Sequence, residues 1–394
     1  MEHEAGSLID RITARRAILG RIDLVGRDLG TLYERLDGIA GSLVALEARE
    51  DPVPVFEDKL ARFGGRIGLV EERLNAAEGR LATLGGLFER LERIEATLAA
   101  RAGATAGQAA HDRMPYVSTA DLRALGRIEA EAAMRARCMV VPVDAATALC
   151  RILGRYKMYL DRRDIGFAPH LMFEGFWEYW LTEFIWRNVQ PGEVALDVGA
   201  NHGYYALLMA DLVGAHGRVH AFEPNPRLFD LMSRTVALNG FWHTVRLHGA
   251  AVAEASGPPM TFAATEREPK NGRLLMPGED TPAEPDAVLT PVPVVALDEA
   301  VEGPVHFVKI DVEGAEELAW RGMQRLIGRS PQIRIVMEFN PGRCRDAAAT
   351  LADIAAHFAL REVGFDARAH PVTAEEVLGR SEDTLLYLSR LDPA

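Results

Sequence analysis

The stretch Val194–Tyr205, VALDVGANHGYY, constrains this chain more than any other. Val194–Leu196 and Val198 surround a single acid, Asp197; a turn carrying Gly199, Asn201 and Gly203 follows, then the apolar run Tyr204–Met209. That is the pattern of a buried parallel strand, a tight turn and a helix start. Gly199 and Gly203 suit a backbone that must pass close to a ligand, where a Cβ would collide. Twenty residues beyond Gly203, Glu223 closes a second apolar strand, Arg218–Phe222. An open α/β sheet holds a nucleoside in this way, with the acid taking the ribose hydroxyls.

A dinucleotide site usually shows GxGxxG, but the run here is Gly-Ala-Asn-His-Gly, without the central glycine and with Asp197 ahead of the turn. A carboxylate repels a pyrophosphate and attracts a cationic amine or sulfonium. The residues therefore favour S-adenosylmethionine over NAD. The plainer role for Asp197 is to cap the turn by accepting from backbone N–H groups.

The chain has 394 residues, room for two or three domains, and 26% charged residues, ordinary for a globular protein. A net charge of −13 argues against nucleic acid or an anionic membrane as partner. Cys138, Cys150 and Cys344 are scattered without a CxxC pair, which suits a reducing, cytoplasmic setting. The start, MEHEAGSLIDR, lacks the apolar core of a secretory signal, and no apolar run approaches membrane-spanning length.

Residues 1–100 read as a coiled-coil rod. Ile18, Ile22, Val25, Leu29, Leu32, Leu36, Ile39, Leu43 and Leu46 are spaced alternately four and three apart, a seam that needs a partner helix. Asp51-Pro52-Val53-Pro54 interrupts it, and it resumes from Phe56 to Leu91. Pairing between identical chains gives a homo-oligomer; a hairpin folded at the prolines is the alternative. Residues 101–117 read as a linker and 118–173 as a helical lead-in, with a helix from Ser118 to about Arg137 and a short strand at Cys138–Val143.

Glu174–Trp186, EGFWEYWLTEFIW, reads as one helix, with Trp177, Leu181, Phe184 and Ile185 on its packing face and Glu178 and Thr182 sharing another. Most of these aromatics belong to the core. Glu178, just ahead of the first sheet strand, suits the amino group of a bound methionine moiety as well as it suits packing.

From 174 to 394 strand and helix signals alternate, giving a doubly wound, mostly parallel, Rossmann-like α/β sheet. Strands are expected at Thr244–Leu247, Val305–Ile310, Ile333–Met337 and Thr384–Leu388, and helices at Arg227–Asn239 and Arg345–Ala359. Acids sit at four strand ends: Asp197, Glu223, Asp311 with Glu313, and Glu338. Buried carboxylates are costly unless paired or ligand-bound. Glu316 has a simpler use as a first-turn helix acid.

These stretches, DVGANHGYY, AFEPNP, the downstream LNG, KIDVEGAE and MEFNP, resemble the FkbM-type methyltransferases, as do WExxxT before the first strand and ALDEAV before the fourth. The resemblance runs from about Gly175 to Leu388. It implies a methyltransferase sheet, S-adenosylmethionine as cofactor, and O-methylation of a sugar, glycan or natural-product acceptor. It places Asp197, Gly199, Asn201, Gly203 and Glu223 at the cofactor, and Asp311 near the methionine moiety or the acceptor; Glu178 and Thr182, from the WExxxT stretch, join the cofactor candidates on the reading of that stretch given above. The transfer needs a base for the hydroxyl proton. Asp311 is the first candidate, then Glu338, Glu313 and His202. Asp311, Glu338 and Asn340 would also suit Mg²⁺, though rim hydrogen bonding gives the same spacing and no metal is assigned.

The rod and the Pro-rich stretch Pro258–Pro293 fall outside the resemblance; the latter reads as a substrate-side excursion. Its basic turn Lys270-Asn271-Gly272-Arg273 would meet an anionic substrate, or simply solvent. Two other functions stay open from the sequence: a non-catalytic coiled-coil assembly protein with a retained nucleoside-binding domain, and an NAD oxidoreductase.

Overall fold

The computed structural model describes residues 116–276, 279 and 286–391. The coiled-coil rod and nearly all of the expected linker lie outside the described residues. Val117, expected as linker, is buried and donates its N–H to Gly154 O at 3.1 Å, so it belongs to the folded body.

Eight strands form the central sheet: β1 (Val194–Val198), β2 (Arg218–Phe222), β3 (Val245–His248), β4 (Phe307–Ile310), β5 (Arg334–Phe339), β6 (Arg361–Val363), β7 (Ala369–Pro371) and β8 (Thr384–Ser389). Their spatial order is β7-β6-β8-β5-β4-β1-β2-β3. The five strands from β5 to β3 are parallel, and β8 runs antiparallel between β5 and β6. This is the mostly parallel α/β architecture expected. Strands β1, β2 and β4 are buried along nearly their whole length, as a sheet covered on both faces requires.

The chain steps outward from β1 to β3, then returns to the other side of β1 as β4. The strand order reverses there, which is where such sheets bind ligands. Helix α1 (Tyr179–Asn188) packs with α2 (Tyr204–Val213), whose residues are almost all buried. Helix α3 (Pro226–Leu238) is started by Asn225, whose side chain accepts from Arg227 N, and by Pro226 in its first turn. On the opposite sheet face Trp320 of α4 (Glu316–Arg321) and Leu351 and Ile354 of α5 (Ala347–His357) pack on Leu196, Val308 and Ile335.

Three expectations are corrected. The 118–173 segment is not only helical: Val140–Pro142, Thr147–Ile152 and Tyr156–Asp161 form an antiparallel sheet that packs on α3. Cys150, Ile152, Tyr156 and Met158 are buried while Arg151 and Lys157, partners across the hairpin, stand between them at the less buried positions, the alternation of half-buried strands. The single helix expected at 118–137 is two, Thr119–Ala124 and Arg127–Arg135, because Leu125 and Gly126 are extended. The aromatic helix is likewise divided: Ala168–Glu174 ends at Gly175, with φ 74°, and α1 starts only after Glu178, with φ 36°. Glu178 therefore lies outside the helix. Cys138 and Cys150, twelve residues apart in sequence, bring their sulfurs to 3.8 Å as free thiols.

The Pro-rich excursion is itself ordered where described. Ala251–Val252, Val288–Val295, Gly257–Ala264 and Arg273–Leu274 make a four-stranded sheet in that order. Pro293 is tolerated because the register shifts between Val292 and Val294. Among the described residues, no helix is long and apolar enough to cross a membrane.

Candidate functional site

At the carboxyl ends of β1, β2, β4 and β5 an open cleft is walled by the turn after β1, the tip of β2 and the excursion sheet. The turn is shaped by the chain itself. Gly199 has φ +79°, and a Cβ there would stand 1.8 Å from Asp311 O. Gly203 has φ +91°, and its Cβ would meet Met232 Cγ at 2.8 Å. The clearance expected for a ligand is thus first a clearance for neighbouring chain. Asn201 adopts φ 53°, a conformation asparagine tolerates better than most residues.

Glu223 is the best-anchored acid of the cleft. One oxygen accepts from Asn201 N and the other from Asn225 N, each at 2.8 Å, so the tip of β2 is tied to the turn of β1. Burial pushes its carboxyl up to about 7 despite those two donors. Phe222, Leu228 and Val252 line the same end, leaving an apolar slot beside a hydrogen-bond acceptor.

At the other end stand Glu178, Lys309, Asp311, Glu313 and Glu338. Lys309 donates to Asp311 at 2.9 Å and lies 5.1 Å from the Tyr205 ring centroid. Burial alone would lower its ammonium, but Asp311 and Asp197 outweigh this and hold it charged. Burial would likewise raise Asp311; Lys309 and a hydrogen bond with Glu338 prevail, and its carboxyl lies below the usual range. Glu338 is the reciprocal member, pushed up to about 10 by burial and by Asp311 beside it. At neutral pH the pair therefore consists of an ionised Asp311 and a protonated Glu338. Glu313 is raised to about 7 by burial and Asp311, and is bridged to Arg343 at 2.8 Å. Glu178 is raised by burial and accepts from the Tyr205 hydroxyl at 2.8 Å.

Not every expected residue faces the cleft. Asp197 is 0% exposed and lies under its floor, paired in register with Lys309 across β1 and β4. Neither of its oxygens has a full hydrogen bond, with only weak support from Ala206 N–H, and burial pushes the carboxyl up to about 7. Thr182 is also wholly buried; its hydroxyl bonds Trp177 O at 2.8 Å and Tyr204 at 3.0 Å. It braces the wall rather than lining it. His202 does not fit the part of a base: it is buried, accepts from Asp161 N at 3.2 Å, stacks on Phe167, and burial drives its ring down to about 3. Asn340 turns away to Asp383 and Gly342, so the oxygen cluster at the rim is Asp311, Glu313 and Glu338 instead, within 4.8 Å of one another. Glu316 closes the loop after β4 by accepting from Val312 N and Gly314 N.

Sequence reasoning missed Lys309 and Tyr205. A lone lysine inside the buried strand FVKI was the available signal, since a buried ammonium needs acids around it. The basic turn is divided: Lys270 lines the cleft, whereas Arg273 is bound by Glu279 through two hydrogen bonds.

A family model described as the methyltransferase FkbM domain matches residues 197–366. Among curated proteins, the protein-L-isoaspartate O-methyltransferase of Aeropyrum pernix is 32% identical over 103 residues, covering 22% of this chain and 39% of that protein. A Methanococcoides burtonii protein of the same description is 27% identical, with 23% of this chain and 51% of that protein covered. The chain thus spans about two fifths to one half of the length of these curated relatives. Among solved structures, a methyltransferase FkbM from Methylobacillus flagellatus is similar at 16% identity, with 56% of this chain and 52% of that chain covered and a TM-score of 0.32.

Proposed function

We propose, from the premise that residues 197–366 form an FkbM methyltransferase domain, that this chain binds S-adenosylmethionine in the cleft and methylates a hydroxyl group of a sugar, glycan or natural product. One observation carries the reading. A single cleft at the sheet's reversal point runs from an anchored acid, Glu223, to an ionised carboxylate, Asp311, held by a buried lysine.

When bound, S-adenosylmethionine supplies an electrophilic methyl carbon on a positively charged sulfur. Glu223 would take the ribose hydroxyls, and the slot of Phe222, Leu228 and Val252 would take the flat base. Gly199, Asn201 and Gly203 shape the turn that fixes Glu223. Glu178 would hold the amino group, braced by Tyr205. Asp311 would accept the acceptor's hydroxyl proton as its oxygen attacks; Lys309 keeps that carboxylate ionised and aimed. Glu338 hydrogen-bonds Asp311 from the far side, and Asp197 acts from below by holding Lys309 charged.

Calorimetry with S-adenosylhomocysteine tests the cofactor half: micromolar binding is expected for the wild type and for Asp311→Asn, and a loss of about tenfold or more for Glu223→Ala. Transfer of a labelled methyl group should disappear in Asp311→Asn. Absent binding by the wild type would retire the assignment.

A further inference from the structure

The acids at the end of the first cleft also line a second one. Glu178, Lys309, Asp311 and Glu338 are common to both, and the second cleft continues along the β6–β8 side of the sheet past Trp180, Phe365 and Arg380. The shared wall holds the ionised carboxylate and the buried lysine, so the two clefts meet where transfer would occur. The first supplies a slot for a nucleoside; the second has none of those features. Its wall is an aromatic pair, Trp180 and Phe365, edge to face at 5.3 Å, with Phe365 78% exposed. Beyond it Glu362 and Arg380 form an ion pair. Among the described residues six acids line this cleft, Glu338 in its protonated form, against two cations, Lys309 and Arg380, each already bound to a carboxylate.

We propose that the second cleft admits the methyl acceptor, that Trp180 and Phe365 are its specificity wall, and that it selects an acceptor without negative charge, a neutral or cationic polyhydroxylated molecule. The inference rests on the methyltransferase reading above. An exposed aromatic wall packs on the apolar face of a polyol, and the carboxylates accept its hydroxyl protons. A phosphate or carboxylate entering here would meet like charge, with no free cation among the described lining residues to pair it. The geometry thus divides the site in two, with cofactor residues on the β2 side of Asp311 and acceptor residues on the β6–β8 side.

The test uses the full chain, labelled S-adenosylmethionine and a whole extract of source cells lacking the gene, with labelled products separated by anion exchange. Wild type should label material that passes unretained. Phe365→Ala, at an exposed position, and Trp180→Phe as a milder second variant should lower the labelling rate, by about tenfold for Phe365→Ala, while S-adenosylhomocysteine affinity stays within about twofold of wild type. Label in the retained, anionic fraction overturns the charge selection. Unchanged labelling by both variants, or a matching loss of S-adenosylhomocysteine affinity, overturns the division into two clefts. A wild type that fails to bind S-adenosylhomocysteine, or binds it and labels nothing, brings down the transfer reading itself and this proposal with it.

Discussion

Glu223 and Asp197 are both acids at strand ends, yet the fold uses them differently. Glu223 faces the cleft with its carboxyl raised to about 7 by burial. A ribose diol donating to it favours the ionised form, so cofactor binding should release protons and weaken as pH falls below about 7. Calorimetry in buffers of differing ionisation heat should detect that release in the wild type and lose it in Glu223→Gln. Asp197 has no such outlet. Its carboxyl is raised to about 7 in the fold, from an ordinary value of 3.8, so the folded state holds the proton more tightly. Its contribution is greatest below the unfolded value and is lost as pH rises to about 7, a cost on the order of a few kcal/mol at pH 8. Wild-type melting should therefore drop between pH 5.5 and 8 more steeply than that of Asp197→Asn. Equal slopes would show that Lys309 fully compensates the acid. The sequence revealed both acids; it did not reveal which would be covered, because β4 lies beside β1 only through contacts more than a hundred residues apart.

At the level of elements, the turn between β1 and α2 was legible because its glycines are obligatory. Gly199→Ala combines a left-handed backbone with a Cβ 1.8 Å from Asp311 O, so it should cost about 3 kcal/mol or more. Thermal melting would show this as a drop of several degrees, and an unaltered midpoint would mean that the loop after β4 shifts freely. Strands β1, β2, β4, β5 and β8 were legible as apolar runs within one or two residues of their bounds. The Thr147–Ile152 and Tyr156–Asp161 hairpin, expected as part of a helical lead-in, carries a period-two alternation of its own; what its sequence does not carry is that α3 covers Tyr156–Asp161. Division of the aromatic helix was hidden for a related reason. Glu178 takes a left-handed conformation that the sequence alone disfavours, and its bond to Tyr205 and its place on the cleft wall accompany that departure.

For the whole molecule, two consequences can be measured. Saturation with S-adenosylhomocysteine at a hundred times its dissociation constant should stabilise the fold by about 2.7 kcal/mol, and melting should rise with ligand concentration. The heptad spacing of residues 18–91 predicts that the full chain sediments as an oligomer, and that replacing Leu32, Leu36, Ile39 and Leu43 by Lys together gives a monomer with unchanged cofactor affinity. A wild-type monomer at micromolar concentration would refute the intermolecular seam.

The sequence by itself determined the alternation of strands and helices, the glycine turn, and the acids that end β1, β2, β4 and β5. Those are local matters of periodicity, backbone sterics and the rarity of charge in apolar strands. Only the tertiary structure decided that Asp197 is sealed beneath the floor, that Lys309 sets the protonation of Asp311, and that two clefts share one acidic wall. Each of these depends on which segments distant in sequence lie side by side, and burial and charge proximity exist only once they do.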